Sequence, residues 1–193
     1  MQSGEYFAIF SAPPCSTFSV SRFFRSSQSA DGGPPPVRDR ENIRGIPGIP
    51  SGHVGELNDA NAIVDRTVAL LEAAHRSGAE TVMEHPADRG DPAQPSSFMH
   101  ARHGPVWLMP EVRRLLDLIG GRCFTFPQCA FGTDTLKLTT LLCSPGLFEH
   151  FAPLSQLRCQ HGSHSAAIGG KVGDDGSWNT ANASDLHGPW NLT

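Results

Sequence analysis

Cys15 and Glu84 are the two side chains whose types and placement could do chemistry together. Cys15 ends the stretch FAIFSAPPC, in which an apolar run is closed by Pro13 and Pro14, so a nucleophile-capable thiol follows a rigid exit from the core. Glu84 ends a second apolar run, ETVME, which is closed by His85 and Pro86. A thiol attacks as its thiolate, so Cys15 needs a depressed pKa or a base to take its proton. A carboxyl beside it can hold or deliver a proton. Each residue also has a plainer use. A cysteine among apolar neighbours is often a small hydrophobe, and a glutamate at a strand end is usually a solvated surface group. Arg22 lies just downstream of Cys15 and could lend positive charge, although an ordinary solvated arginine is the simpler reading.

A second constellation lies in the C-terminal third, where Cys159, His161 and His164 fall within the stretch CQHGSH. Cys129 and Cys143 could complete a tetrahedral site of sulfur and nitrogen ligands, the kind that suits zinc. The spacing is not that of a standard finger, and no paired C-x-x-C accompanies it. Loop residues in a chain with nine His would read the same way.

The elements that must position these residues follow from periodicity. Tyr6 to Phe10 reads as a strand buried on both faces, the kind found in parallel sheets. Asn58 or Asp59 can cap a helix in which Ile63, Val64, Val68 and Leu71 recur at helical spacing. His75 and Arg76 lie in its last turn and Gly78 just past it. Glu80 to Glu84 reads as the next strand. Strand, loop, helix, strand is a βαβ unit, almost always right-handed with parallel strands. Neighbouring strands lie about 4.8 Å apart, so Cys15 and Glu84 would reach one crevice outside the carboxyl ends of the sheet. Beyond a Pro-rich loop, the segment His103 to Met109 includes Trp107, read as a core residue. Pro110 opens a second helix, Glu111 to Ile119. Arg122 to Phe126 and Leu136 to Cys143 are two further strand candidates.

Ser26 to Gly55 is rich in Ser, Gly, Pro and Arg. It reads as a long loop, mobile unless a ligand orders it. Its run VRDRENIR, Val37 to Arg44, could order on a phosphate backbone. After Gly169 little regular structure is expected. The organisation is therefore one α/β domain over residues 1–168, with 26–55 as a flexible loop, and an irregular tail over 169–193.

The totals fit that picture. A chain of 193 residues supports one domain with a real core. Gly 20 and Pro 16 make up nearly a fifth of the chain, against a usual share of about 12 %. The net charge of -4 gives no electrostatic footprint for nucleic acid, so any such attraction must come from a local patch or another chain. Five cysteines form no dense disulfide framework, and no apolar run is long enough to span a bilayer. The expected setting is a reducing intracellular one, the nucleus in a eukaryote and the cytoplasm otherwise.

The motifs around these residues resemble a known family. Ala12-Pro13-Pro14-Cys15 followed by Ser16-Thr17-Phe18-Ser19 is similar to the Pro-Cys motif of the cytosine-5 DNA methyltransferases. Met83-Glu84-His85-Pro86 resembles their Glu-Asn-Val motif, which is Glu-Asn-Pro in some divergent relatives. Phe131-Gly132, leading through Thr133 to Thr139, lies where the family has an aromatic-Gly pair before Gln-x-Arg-x-Arg. The resemblance covers roughly residues 5 to 145 and is strongest at the first motif. It departs at His85, which replaces the Asn, and at Thr135, Lys137 and Thr139, where the Gln and the two Arg would stand; only Lys137 keeps a cation.

The resemblance implies a partial Rossmann-like methyltransferase sheet, mostly parallel, with long loops. It also implies a cytosine flipped out of its duplex. Cys15 would add to C6 of that base and Glu84 would hold N3 protonated. Pro14, Ser16, Thr17, His85 and Lys137 would contact the substrate, and Pro13 would border the cofactor, S-adenosylmethionine. The family's Phe-x-Gly-x-Gly turn for that cofactor should precede Tyr6 by several dozen residues. The expectation is therefore a target-base half, with DNA or RNA as partner and a second chain supplying the cofactor half. The rival expectation is a catalytically silent nucleic-acid or protein interaction module that kept the scaffold.

Overall fold

The computed structural model describes residues 6–24, 34–133, 136–162, 164, 170–172 and 178–180. Thr135 and most of the tail lie outside the described residues.

Strands β1 (Ala8–Ser11), β2 (Glu80–Pro86), β3 (Arg122–Pro127) and β4 (Leu138–Cys143) form one sheet in the order β1-β2-β4-β3. β1 pairs parallel to β2, with Ala8 opposite Glu80 and Ser11 opposite Met83. This is the ladder expected of the βαβ unit. The other two ladders are antiparallel: β4 runs against β2, with Val82 opposite Cys143, and against β3, with Arg122 opposite Cys143. A mostly parallel sheet is thus corrected to a mixed one. The reason is the brevity of the β3–β4 connection, which allows a hairpin return, whereas a parallel pairing needs a crossover of a dozen or more residues. β1, β2 and β3 still point the same way, with β4 reversed between β2 and β3.

Helices cover both faces. α1 (Val54–Arg76) crosses over between β1 and β2. It begins ahead of the expected caps, because Pro50 and a 3-10 turn at Ser51–His53 feed straight into it. Leu57, Ala60, Val64, Val68, Leu71 and Ala74 make its buried stripe, while Ile63 falls outside it. α2 (Pro110–Leu118) opens on its proline, whose missing N–H costs nothing in the first turn. Val112 and Leu115 join Val64, Val68, Leu71, Met83 and Leu142 in the first core cluster. On the other face Val82, Phe124, Phe126, Leu141, Cys143 and Leu147 form a second cluster. It is covered by Phe148 and Phe151 of α3 (Phe148–Phe151) and by Leu154 and Leu157 beyond it. The molecule is therefore α/β, a small sheet with apolar layers on both sides.

Two expectations about irregular segments are corrected. From residue 34 to 50 the loop has no regular element, yet Val37, Arg38 and Asp39 are buried. Ile46 N donates to Val37 O at 3.0 Å, and Arg40 N to Arg102 O at 3.1 Å. The absence of a side chain at Gly104 permits this approach: a Cβ there would lie 2.6 Å from the Asp39 carbonyl. Contacts with other segments of the same chain order residues 34–50. In the tail, β5 (Gly170–Val172) pairs antiparallel with β6 (Trp178–Thr180), so that segment is not wholly irregular.

Candidate functional site

β1 ends at Ser11, and Cys15 opens the 3-10 turn Ser16–Phe18, its carbonyl accepting from Phe18 N at 3.0 Å. The turn is pinned from several sides. Arg22 Nε donates to Ser16 O at 2.8 Å, and the same guanidinium pairs with Glu56 on α1. Ser16 Oγ donates to Glu56 at 3.3 Å. Arg38 Nη2 donates to Thr17 Oγ1 at 2.9 Å, while its Cζ sits 3.8 Å from the centre of the Phe18 ring. His103 Nδ1 accepts from Arg89 N at 3.0 Å, which leaves Nε2 to carry the proton and donate to Phe18 O at 2.9 Å. These anchors hold a short backbone turn in place and present its cysteine.

Cys15 is half-buried, and the two charges acting on its thiol are those of Lys137 and Glu84. Burial pushes the thiol above its ordinary value; Lys137 pulls it back down and Glu84 adds to the rise. Lys137 Nζ stands 3.7 Å from Glu84 Oε1, too far for a hydrogen bond. Glu84 Oε1 is itself buried and has no hydrogen-bond partner among the described residues. The structure thus brings together Cys15, Glu84 and Lys137, drawn from three segments far apart in sequence. Pro14 and Ser16 are exposed at the rim.

Other candidates lie elsewhere. His85 is only 1 % exposed, set edge-on to Phe18 with ring centres 5.0 Å apart and to Trp107 at 6.1 Å. Successive residues of a strand face opposite sides, so the step from Glu84 to His85 turns the imidazole into the first core, away from any ligand. Burial pulls its pKa down to about 3, with the charge on Lys137 adding to the shift. The Pro14 carbonyl faces the ring and opposes that shift, but its geometry falls short of a hydrogen bond. Thr17 is buried against Arg38, and Pro13 is buried as well, so neither offers a surface to substrate or cofactor. Thr139, in the motif's second Arg position, is also buried. Trp107 packs partly against the first core as expected, its Nε1 donating to Pro86 O at 2.8 Å.

The arginines differ from their sequence reading. Arg22 is not a solvated side chain but the clamp on the Ser16 carbonyl. In VRDRENIR, Arg38 is buried, Arg40 bonds Asp88 at 2.8 Å, and Arg44 bonds Asp65 at 2.5 Å and pairs with Glu111. All three are committed within the chain rather than displayed to a phosphate backbone. Arg38, which anchors Thr17 and covers the Phe18 ring, is the residue behind the Cys15 turn that the sequence did not single out. Its one signal was a neighbouring apolar Val37, too slight to separate a core cation from a surface one.

The Cys/His cluster is assembled without Cys143, which lies in the second core, its thiol pushed up to about 12 by burial. Cys129, Cys159, His161 and His164 place their ligand atoms within 4.8 Å of one another. All five cysteines are free. Among the described residues no helix is long and apolar enough to cross a membrane. No protein-family model matches the chain, and no curated protein matches it significantly.

Proposed function

We propose that the chain is the target-base half of a cytosine-5 methyltransferase-like protein acting on DNA, with Cys15 as nucleophile and Glu84 as the acid. The supporting observation is the pairing of a reachable thiol with a buried carboxylate oxygen that makes no hydrogen bond, with only the Lys137 ammonium 3.7 Å away, at the exit of two parallel strands. An acceptor buried without a donor is costly unless a ligand supplies one, and a flipped cytosine carries suitable groups on its N3–N4 edge. In this reading the Cys15 thiolate forms a bond to C6 and the C5–C6 double-bond electrons move onto C5. Glu84 in its acid form gives its proton to N3. Lys137 lowers the cost of the thiolate and holds the carboxyl in place, while Arg22 and Arg38 are positioning residues that fix the turn carrying Cys15.

The family's methyl donor, by resemblance, is S-adenosylmethionine. No Gly-x-Gly pair occurs anywhere in the sequence, so this chain's residues do not fit that group, and the chemistry assigned to them ends at the covalent addition. Addition alone has a readout. With C6 bonded to sulfur, C5 takes a deuteron from heavy water, and loss of the original proton with expulsion of the thiolate returns an exchanged base. Cytosine-bearing DNA incubated with the chain in heavy water should gain deuterium at C5, and Cys15→Ser should abolish the gain. Exchange no faster than that of the serine variant would rule out the enzymatic reading.

A second reading, a catalytically silent interaction module that kept the scaffold, draws on one observation: burial raises the Cys15 thiol, the wrong direction for a nucleophile. The same exchange experiment separates the two.

A further inference from the structure

The Cys/His cluster lies on a different part of the chain from the thiol–carboxylate pair. Cys129 is buried on the 3-10 turn Gln128–Phe131 that follows β3. The other three residues come from the stretch beyond Gln156, which has no regular structure of its own up to residue 162. Cys159 Sγ is 3.1 Å from His164 Nε2 and 3.9 Å from His161 Nδ1, and the two imidazoles meet edge-on with centres 5.3 Å apart. Zinc binds sulfur at about 2.3 Å and nitrogen at about 2.0–2.1 Å in a tetrahedron, which sets ligand atoms about 3.3–3.8 Å from one another. The observed separations straddle that range.

We propose that Cys129, Cys159, His161 and His164 hold a structural zinc ion that staples the post-α3 segment to the β3–β4 connection. Two thiolates and two neutral imidazoles are the donors zinc takes in closed structural sites, and the set contains none of the carboxylate or carbonyl oxygens that calcium or magnesium require. On binding, the two thiols release their protons to solvent while the imidazoles bind through unprotonated nitrogens. The two thiolate charges cancel the dication, so the site is neutral overall, which suits the burial of Cys129.

The staple also reaches the thiol–carboxylate pair. Gln128, next to Cys129, donates its N–H to Lys137 O at 2.8 Å, so the turn gripped by the ion is tied by its backbone to the residue whose ammonium faces Glu84. The zinc assignment stands whether or not the chain modifies cytosine.

The test is elemental analysis of the full chain, purified without chelators and without a histidine tag. It should contain about one zinc per chain, the stoichiometry of one closed tetrahedral site. Replacing zinc by cobalt(II) should give the intense visible bands of a tetrahedral thiolate site. Cys129→Ser with Cys159→Ser should lose both signals, and Cys123→Ser should keep both. Because Cys129 is buried, His161→Ala with His164→Ala, altering exposed or half-exposed residues, provides a second variant that should also lose the metal. Metal-free protein lacking the cobalt bands would overturn the assignment, and so would full zinc retention in both double variants. A Cys129–Cys159 disulfide in protein kept under reductant would overturn it as well.

Discussion

At Cys15, burial and a neighbouring cation pull the thiol in opposite directions, whereas at His85 burial and the same cation act together and dominate. The imidazole's pKa is depressed to about 3 in the fold, against an ordinary value near 6.5. Below pH 6.5 the unfolded chain takes up a proton that the native ring refuses. Native stability should therefore fall as pH drops from about 6.5 toward 3, by up to about 1.4 kcal/mol per pH unit from this one group. His85→Leu should remove that slope while changing stability at pH 7 by less than about 1.5 kcal/mol, because neither ring nitrogen has a partner to lose. Urea midpoints at pH 7, 5 and 4 for both proteins would show it; an equal slope in the variant would refute the account. The convergence of Cys15 and Glu84 was legible in the sequence because a βαβ unit leaves the chain few alternatives. The burial of His85 follows from the same alternation that exposes Glu84, but reading the four residues MEHP as one motif hid it. Arg38 was not legible, since nothing in a Gly- and Pro-rich stretch marks which of several arginines will be drawn onto a phenylalanine ring.

The elements divide in the same way. α1, α2 and the four strands of the main sheet follow from apolar periodicity and from proline and glycine punctuation, with end shifts of a few residues, but β1 is not the doubly buried strand expected of Tyr6 to Phe10: it is an edge strand with Phe10 58 % exposed. What periodicity lacks is information on pairing direction, and the turn between β3 and β4 decided that. It also lacks information on long loops, whose order here comes from backbone-to-backbone packing. Residues 34–50 lie against the 88–104 segment so closely that Gly104 faces the Asp39 carbonyl, and the Arg40–Asp88 and Arg102–Asp39 pairs close the same seam at 2.8 Å each. Gly104→Ala should force the seam apart and cost about 2–3 kcal/mol, a typical penalty for overpacking a tight site. Hydrogen exchange should then rise in residues 37–46 while α2 stays protected. A Gly104→Ala protein with unchanged exchange in that stretch would show that the seam is not tight.

Across the whole molecule, the four strands belong to very different separations along the chain. β3 and β4 meet through a short connection, β2 joins β4 by pairing Val82 with Cys143, and β1 joins β2 only by bringing Ser11 to Met83 across the full length of the loop and α1. Closing long loops costs entropy before the contacts repay it, while a hairpin forms in about 1–10 μs. In refolding followed by pulsed hydrogen exchange, amides of the β3–β4 ladder should be protected before Glu80 N, which donates to Phe7 O at 2.9 Å at the start of the β1–β2 ladder. Simultaneous protection would contradict that order.

The parallel docking of β1 thus carries a cost for a newly made chain. Until that outermost strand is recruited, the sulfur of Cys15 sits on an unfinished polypeptide with neither its lysine nor its carboxylate beside it. Oxidants can reach it during that interval, so the share of Cys15 recovered oxidised should rise the longer that docking is delayed.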